Sequence, residues 1–456
     1  MVNLTRLFGT SGIRGLANLD LTPTLATRVG LGIATHSKAK TVLAARDTRT
    51  TSIILENALI SGLVSCGANV SNIGIAPTPV LALLTKKMGA DVGVMITASH
   101  NPPQYNGIKA FCGDSMAYTE KNQDEIEEIL NRNEFSLADW QNIGEIQQSD
   151  VTESYVETVK QLTKLRREWK VVVDPGCGAT FDLAPRVLKA LGCKVTAINS
   201  QPDGFFPARS PEPNEQSLKS VAATVKNVKA EVGFAYDGDG DRVTFINEKG
   251  DLADFDRVLA AYAAYVAERN HGGIIVTNVE ASMCIEEMVQ QHGGKVLRTK
   301  VGDTYLSEVI KQKNAVFGGE PCGAWIHPQA HYCPDGILSS ALLLKALEEE
   351  NKNLIEMVDE VPKYPILRRN ITCDNKTKYR VVNRIGKEIL NTFPEETEVS
   401  NVDGIRVSLE NGWILVRASG TEPLVRLTVE GESLRTAQDI MKKGIAVVKK
   451  FTEKVG

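Results

Sequence analysis

One pattern, written three times along the chain, constrains its fold more than any other feature. The segments are TVLAARDTRTTSIILENALISGLVSCGANVSNIG, KVVVDPGCGATFDLAPRVLKALGCKVTAIN and GGIIVTNVEASMCIEEMVQQHGGKVLRTKVGD. Each holds a short apolar run, a small or polar turn, a helical stretch, a glycine and a second apolar run. The glycines are Gly67, Gly192 and Gly293, and a valine follows each by three residues, at Val70, Val195 and Val296. Glycine just past a helix suits the left-handed backbone that a β-carbon disfavours. Strand, helix, strand at this spacing is a βαβ crossover, which makes the two strands parallel. The glycines lie 125 and 101 residues apart, which is the spacing of domains. Three α/β domains of similar plan are expected, with one large α/β sheet as the alternative.

From residue 365 onward the pattern changes. GIRVSL and WILVRAS flank Glu410-Asn411-Gly412, and Asn-Gly between two β-type runs marks a hairpin. LVRLTVEG adds a strand, and Leu434 to Phe451 carries apolar residues at helical spacing. This predicts an α+β domain. The expected domains are 1–148, 149–250, 251–364 and 365–456.

Charge excludes one class of partner. Lys plus Arg is 52 and Asp plus Glu is 56, so the chain is slightly acidic and does not bind nucleic acid through bulk charge. Residues 57–85 are uncharged, but Asn57, Asn69, Asn72, Pro77 and Pro79 interrupt them, which argues for a soluble core and against a membrane span. MVNLTRLFGT lacks the apolar segment of a secretory signal. The eight cysteines form no CxxC pair, and reduced thiols in the cytoplasm are the expected state.

Four loops and one turn carry chemistry. TASHNPPQYNGIKAF (97–111) follows an apolar strand and puts Ser99 at its carboxyl end, where α/β sheets bind ligands. His100 is its neighbour and Lys109 follows. Ser99 there is either a nucleophile or a turn residue, and no G-x-S-x-G elbow surrounds it. AYDGDGDRVTFI (235–246) alternates Asp237, Asp239 and Asp241 with glycines. Three carboxylates so close repel, so a cation is expected, and oxygen-only donors suit Mg²⁺. It is no EF-hand, because Arg242 stands where that loop requires glycine. GGEPCGAWIHP (318–328) offers Glu320 as an acceptor for hydroxyls, with Trp325 either stacking on a sugar or filling the core. RASGTEPLVR (417–426) combines Arg417, Ser419, Gly420, Thr421 and Arg426 in a loop that is either a phosphate cradle or a plain turn. FGTSGIRG (8–15) adds Arg14 in a glycine-rich turn suited to an anion.

Taken in order, FGTSGIRG, TASHNPPQYNGIKAF, DGDGDR, GGEPCG and RASGTEP resemble the α-D-phosphohexomutases: phosphoglucomutase, phosphomannomutase and phosphoglucosamine mutase. The look is closest to the archaeal-type phosphoglucosamine mutases. The resemblance implies three α/β domains with mixed sheets around a central cleft, plus a smaller C-terminal α+β domain. It implies that Ser99 carries a phosphoryl group passed between the 1- and 6-positions of a hexose through a 1,6-bisphosphate. Ser99, Asp237, Asp239 and Asp241 would hold Mg²⁺. Arg14, His100 and Lys109 would surround the transferring group, with Lys109 as candidate base. Arg242, Glu320 and Cys322 would contact the sugar, while Arg417, Ser419, Gly420, Thr421 and Arg426 would hold the other phosphate. A hexose 1,6-bisphosphate would act as activator, and a homodimer is compatible with the pattern. Where many relatives have Ser-Gly-His after the sugar-loop Glu and its neighbour, this chain has Cys322, Gly323 and Ala324, which leaves the sugar open. A phosphomannomutase/phosphoglucomutase of dual specificity is the runner-up. A silent sugar-phosphate-binding protein and a phosphatase are the alternatives of other classes.

Overall fold

In the computed structural model, which describes residues 6–150, 152–375, 377–393, 396–419 and 423–452, the three repeats form three separate sheets. The first has seven strands: β1 (Phe8–Gly9), β2 (Gly12–Leu16), β3 (Thr41–Arg46), β4 (Asn69–Ile75), β5 (Val92–Ile96), β6 (Tyr105–Cys112) and β7 (Ile146–Gln148), in spatial order 1-2-6-5-3-4-7. The second has β8 (Lys170–Asp174), β9 (Lys194–Ala197), β10 (Val232–Tyr236) and β11 (Val243–Ile246), in order 11-10-8-9. The third has β12 (Gly273–Asn278), β13 (Gly294–Thr299), β14 (Phe317–Gly319) and β15 (Trp325–Ile326), in order 13-12-14-15. Each repeat is a parallel pair, with Val42 opposite Val70, Val171 opposite Val195 and Ile275 opposite Val296. Gly67, Gly192 and Gly293 have φ of 85°, 88° and 71°, the left-handed exit each helix needs. Antiparallel partners at one edge of each sheet make all three mixed.

The fourth sheet is antiparallel throughout: β16 (Ile366–Thr372), β17 (Glu396–Ser400), β18 (Ile405–Leu409), β19 (Gly412–Ala418) and β20 (Leu424–Gly431), in order 16-20-19-18-17. Leu409 pairs with Gly412, so Glu410 and Asn411 form the tight turn. The closing helix, Leu434–Thr452, lays Ile440, Met441 and Val448 on the sheet.

The uncharged stretch 57–85 is divided between a helix end, β4 and the helix Thr78–Lys87. Among the described residues, no helix is long and apolar enough to cross a membrane.

One apolar core runs through all three α/β domains, joining Leu81 and Met95 to Trp169 and Phe234 and to Tyr262, Trp325 and Leu343. Trp325 is 1% exposed and stacks on Tyr262 at 4.9 Å, so it is a core residue and does not face a sugar. The fourth domain has its own core. It meets the third through a small apolar contact of Val279, Met283, Val301, Trp413 and Leu415. Beside this contact the Met283 N–H donates to Glu430 Oε2 at 2.8 Å and the Val301 N–H to Asp403 Oδ2 at 3.3 Å.

Asp256 lies next to this junction and accepts the Ser282 N–H at 2.7 Å. Burial pushes its carboxyl up to about 7, with Asp254 and Glu430 adding to the rise and the Ser282 bond opposing it. A raised folded-state value means stability that is present at acid pH and lost as pH rises towards that value. Asp256→Asn is therefore expected to raise the melting temperature by a few degrees at about pH 8 and to leave it unchanged at about pH 3. Equal gains at both would show that the carboxylate charge is not the cause.

Candidate active site

Ser99 leaves the carboxyl end of β5 with φ of 52°, a left-handed backbone that a residue with a β-carbon adopts only when its surroundings hold it there. Arg49 does the holding. It is 1% exposed and its donors are all spent: Nε on Asp47 Oδ2 (2.9 Å), Nη1 on the carbonyls of Pro102 (2.7 Å) and Tyr105 (3.0 Å), and Nη2 on those of Ser99 (2.8 Å) and Asn101 (2.7 Å). Asp47 also accepts the hydroxyls of Ser52 and Thr97. Neither Arg49 nor Asp47 stood out in the sequence. Their signal was position: both follow β3, the parallel neighbour of β5, at the same carboxyl end of the sheet as Ser99.

The acidic loop 237–242 joins antiparallel β10 and β11 and reaches Ser99 from the second domain. The Ser99 hydroxyl donates to Asp237 Oδ2 at 2.7 Å. A β-carbon at Gly238 would stand 2.4 Å from the Ser99 carbonyl oxygen, so the approach of the two loops requires glycine there. Asp237 Oδ1 accepts the backbone N–H groups of Gly240 and Arg242. Thr78, at the first turn of a first-domain helix, donates its hydroxyl to Asp239 Oδ2 at 2.5 Å and its N–H to the Asp239 carbonyl at 2.9 Å. Behind the loop, the Gly336 N–H opening the helix Gly336–Glu350 donates to the Gly240 carbonyl at 3.1 Å. All three α/β domains thus converge on this loop.

Lys109, on β6, places Nζ 2.8 Å from both Asp239 Oδ2 and Asp241 Oδ2. Burial acts against its charge, but Asp239 and Asp241 outweigh burial and hold it as an ammonium. In return, Lys109 and the Thr78 bond overcome burial at Asp239 and keep that carboxyl below its usual range. Asp237 and Asp241 are pushed upward, by burial first and then by their neighbouring carboxylates. Lys109 and Arg242, the latter 3.9 Å from Asp241 Oδ1, set two positive charges against three buried carboxylates. Possible ligand atoms of Asp237, Asp239 and Asp241 lie within 4.8 Å of one another, and the buried Oδ1 atoms of Asp239 and Asp241 accept no hydrogen bond. This donor set fits a small hard cation such as Mg²⁺.

His100 Nδ1 lies 3.3 Å from Ser99 Oγ. Burial, then Arg242 and Arg14, push this imidazole down to about 3, so it is neutral at neutral pH. Arg14 Nη1 donates to Asn101 Oδ1 at 2.8 Å, which aims it across the Ser99 loop. Glu212 Oε2 stands 3.8 Å from both His100 Nδ1 and Arg242 Nη1.

A cavity of about 320 Å³ opens beside the cluster, lined by Arg14, Asp241, Arg242, Glu320 and Cys322 among the residues singled out from sequence. Glu320 Oε1 accepts Asn278 Nδ2 at 2.8 Å and the Gly302 N–H at 2.9 Å. Burial pushes the Cys322 thiol up to about 12 despite nearby Arg242, so it stays protonated. Arg368, on β16, brings the fourth domain to the cavity and was not singled out from sequence. Arg417 ends on Glu280 Oε1 of the third domain and, at 3.3 Å, on Asp403 Oδ2. Arg426 stands opposite Arg417 in the β19–β20 register, and Ser419 is buried. Gly420 and Thr421 lie outside the described residues.

Models of the phosphoglucomutase/phosphomannomutase family match in four parts: the alpha/beta/alpha domains I, II and III over residues 5–137, 153–250 and 254–364, and the C-terminal domain over 369–445. A probable phosphoglucosamine mutase of Methanothermobacter thermautotrophicus is 43% identical, with 95% of this chain and 96% of that protein covered. The phosphoglucosamine mutase of Methanocaldococcus jannaschii is also 43% identical, with 97% and 98% covered. Among solved structures, a phosphoglucomutase/phosphomannomutase family protein of Burkholderia thailandensis superposes with a TM-score of 0.88 at 29% identity, covering 98% of this chain and 97% of that one.

Proposed function

The chain belongs to the phosphoglucomutase/phosphomannomutase family and is a phosphohexomutase, an isomerase; on that premise we propose that glucosamine phosphate is its substrate and that Ser99 carries the phosphoryl group. The observation that carries the mechanism is the Ser99 hydroxyl, 2.7 Å from Asp237, inside a three-carboxylate cluster that Lys109 flanks. The substrate reading rests on the archaeal relatives. In this reading residues 1–148, 149–250, 251–364 and 365–456 carry the phosphoserine, metal, sugar and phosphate loops in turn. Eight unpaired cysteines support a cytoplasmic location.

Asp237, Asp239, Asp241 and phosphorylated Ser99 would hold Mg²⁺, which when bound supplies positive charge to the oxygens of the transferring group. Phosphoryl transfer depends on positioning and charge, and the chain's own groups provide both. Arg49 keeps the Ser99 loop in register. Arg14 and Arg242 present guanidinium groups to the phosphoryl oxygens and the cavity. Glu320 accepts sugar hydroxyls. The bond from Ser99 Oγ to phosphorus breaks as the free sugar hydroxyl attacks, and the hydroxyl proton passes to a base. Lys109 fills that role only when Asp239 and Asp241 are drawn away from its ammonium. The 1,6-bisphosphate then turns over and returns its other phosphoryl group to Ser99. Arg417, Ser419, Gly420, Thr421 and Arg426 would hold whichever phosphate is not reacting. A trace of bisphosphate would phosphorylate Ser99 and start the cycle.

The deciding experiment is ³¹P NMR of the purified protein with Mg²⁺ and a trace of glucose 1,6-bisphosphate. Separate samples contain glucosamine, glucose or mannose 1-phosphate. The expected result is 6-phosphate without free phosphate, fastest for glucosamine. Stoichiometric free phosphate would mean a phosphatase, and a faster glucose or mannose reaction would overturn the sugar assignment. Asp239→Asn removes one carboxylate charge and with it one of the two Lys109 ion pairs, and is expected to raise the Mg²⁺ midpoint and to lower the rate by about tenfold or more each. Direct Mn²⁺ binding by electron paramagnetic resonance should weaken in parallel. An unchanged metal titration would remove the loop from the metal site.

A further inference from the structure

The cavity is lined by four carboxylates as well as by the guanidinium groups of Arg14, Arg242 and Arg368. Besides Asp241, its wall carries Glu280, Asp303 and Glu320 from the third domain. Glu320 Oε1 is engaged by Asn278 and Gly302, and Asp303 Oδ1 accepts the Ser11 hydroxyl at 2.8 Å. Glu280 follows β12, and its backbone is fixed by an N–H bond to Asn278 Oδ1 at 2.9 Å. Its carboxylate, 26% exposed, reaches across the domain boundary to Arg417.

That contact has a consequence for any bound substrate. Arg417 is the guanidinium assigned above to the distal phosphate. A dianionic phosphate at Arg417 competes with Glu280 for the same donors. With the phosphate in place, Glu280 stands in the cleft as a carboxylate beside a phosphate ester, and like charges in a partly desolvated cavity repel. A hexose with a hydroxyl at C2 offers Glu280 a hydrogen bond but no positive charge to balance that repulsion. A hexose with an ammonium at C2 does.

We propose that Glu280 sets a preference for 2-amino-hexose phosphates by pairing with the substrate ammonium once the phosphate has taken Arg417. The proposal rests on the glucosamine phosphate reading. It is tested by kcat and KM for glucosamine 6-phosphate and glucose 6-phosphate in the native enzyme, Glu280→Gln and Glu280→Ala. Gln keeps the shape and removes the charge. The selectivity ratio of kcat/KM is expected to fall by about tenfold or more in both variants, through a higher KM for the amino sugar and a lower KM for glucose phosphate. A ratio unchanged within about twofold overturns the proposal. So does an equal fall in kcat for both sugars, which would make Glu280 only a tie between domains. A native enzyme that isomerises glucose phosphate and not glucosamine phosphate overturns the substrate reading itself, and the inference with it.

Discussion

Ser99→Ala is expected to lower isomerisation by about 10⁴-fold or more, because in the proposed mechanism it removes the oxygen to which the phosphoryl group returns in every cycle. The fold should survive. The substitution deletes one hydroxyl whose bond to Asp237 is worth about 1–3 kcal/mol, and the loop backbone stays tied to Arg49. Far-ultraviolet circular dichroism should be unchanged and the melting temperature close to native. Transfer of ³²P from labelled glucose 1,6-bisphosphate to the protein should disappear. Isomerisation within about tenfold of native would defeat the phosphoserine mechanism.

The second large effect concerns a residue that touches no substrate. Arg49 ties four loop carbonyls and Asp47 together from a fully buried position. Arg49→Met leaves the Asp47 carboxylate buried without its partner, at an expected cost of about 3–5 kcal/mol. Arg49→Lys retains the charge but not the planar fork of donors. In that variant the Ser99 loop should relax, and kcat should fall by about 100-fold while KM for the sugar phosphate changes little. The split matters, because a purely structural role would lower the yield of folded enzyme and leave kcat per folded molecule intact. Arg49→Lys at native kcat would show that the loop holds its own conformation.

The repeated glycines made the parallel strand pairs legible because a left-handed helix exit is a local property of the backbone. Gly67, Gly192 and Gly293 needed no tertiary information to be read. The Glu410-Asn411 turn is of the same kind. The alternation of Asp237, Asp239 and Asp241 with glycine was legible for an electrostatic reason: neighbours in sequence cannot escape one another's charge. For Trp325 the sequence favoured a core role over stacking on a sugar. Tyr262, sixty-three residues earlier, settles it by stacking on it.

Arg49, Thr78, Arg368 and Glu280 were not legible. Arg49 lies about fifty residues from the carbonyls it holds, and Thr78 lies 161 residues from Asp239. Glu280 and Arg417 are 137 residues apart and on different domains. An arginine or glutamate in a sequence reads as solvated surface unless its partner is known.

The sequence by itself determined which strands are parallel, where the chain turns and which carboxylates crowd into one loop. These depend on backbone sterics and on charges that are neighbours along the chain. Only the tertiary structure decided which buried cation frames Ser99, which helix end steadies the acidic loop and which carboxylate faces Arg417. Those depend on groups from different domains being brought within hydrogen-bond distance, where burial gives each contact an energy it lacks in the unfolded chain.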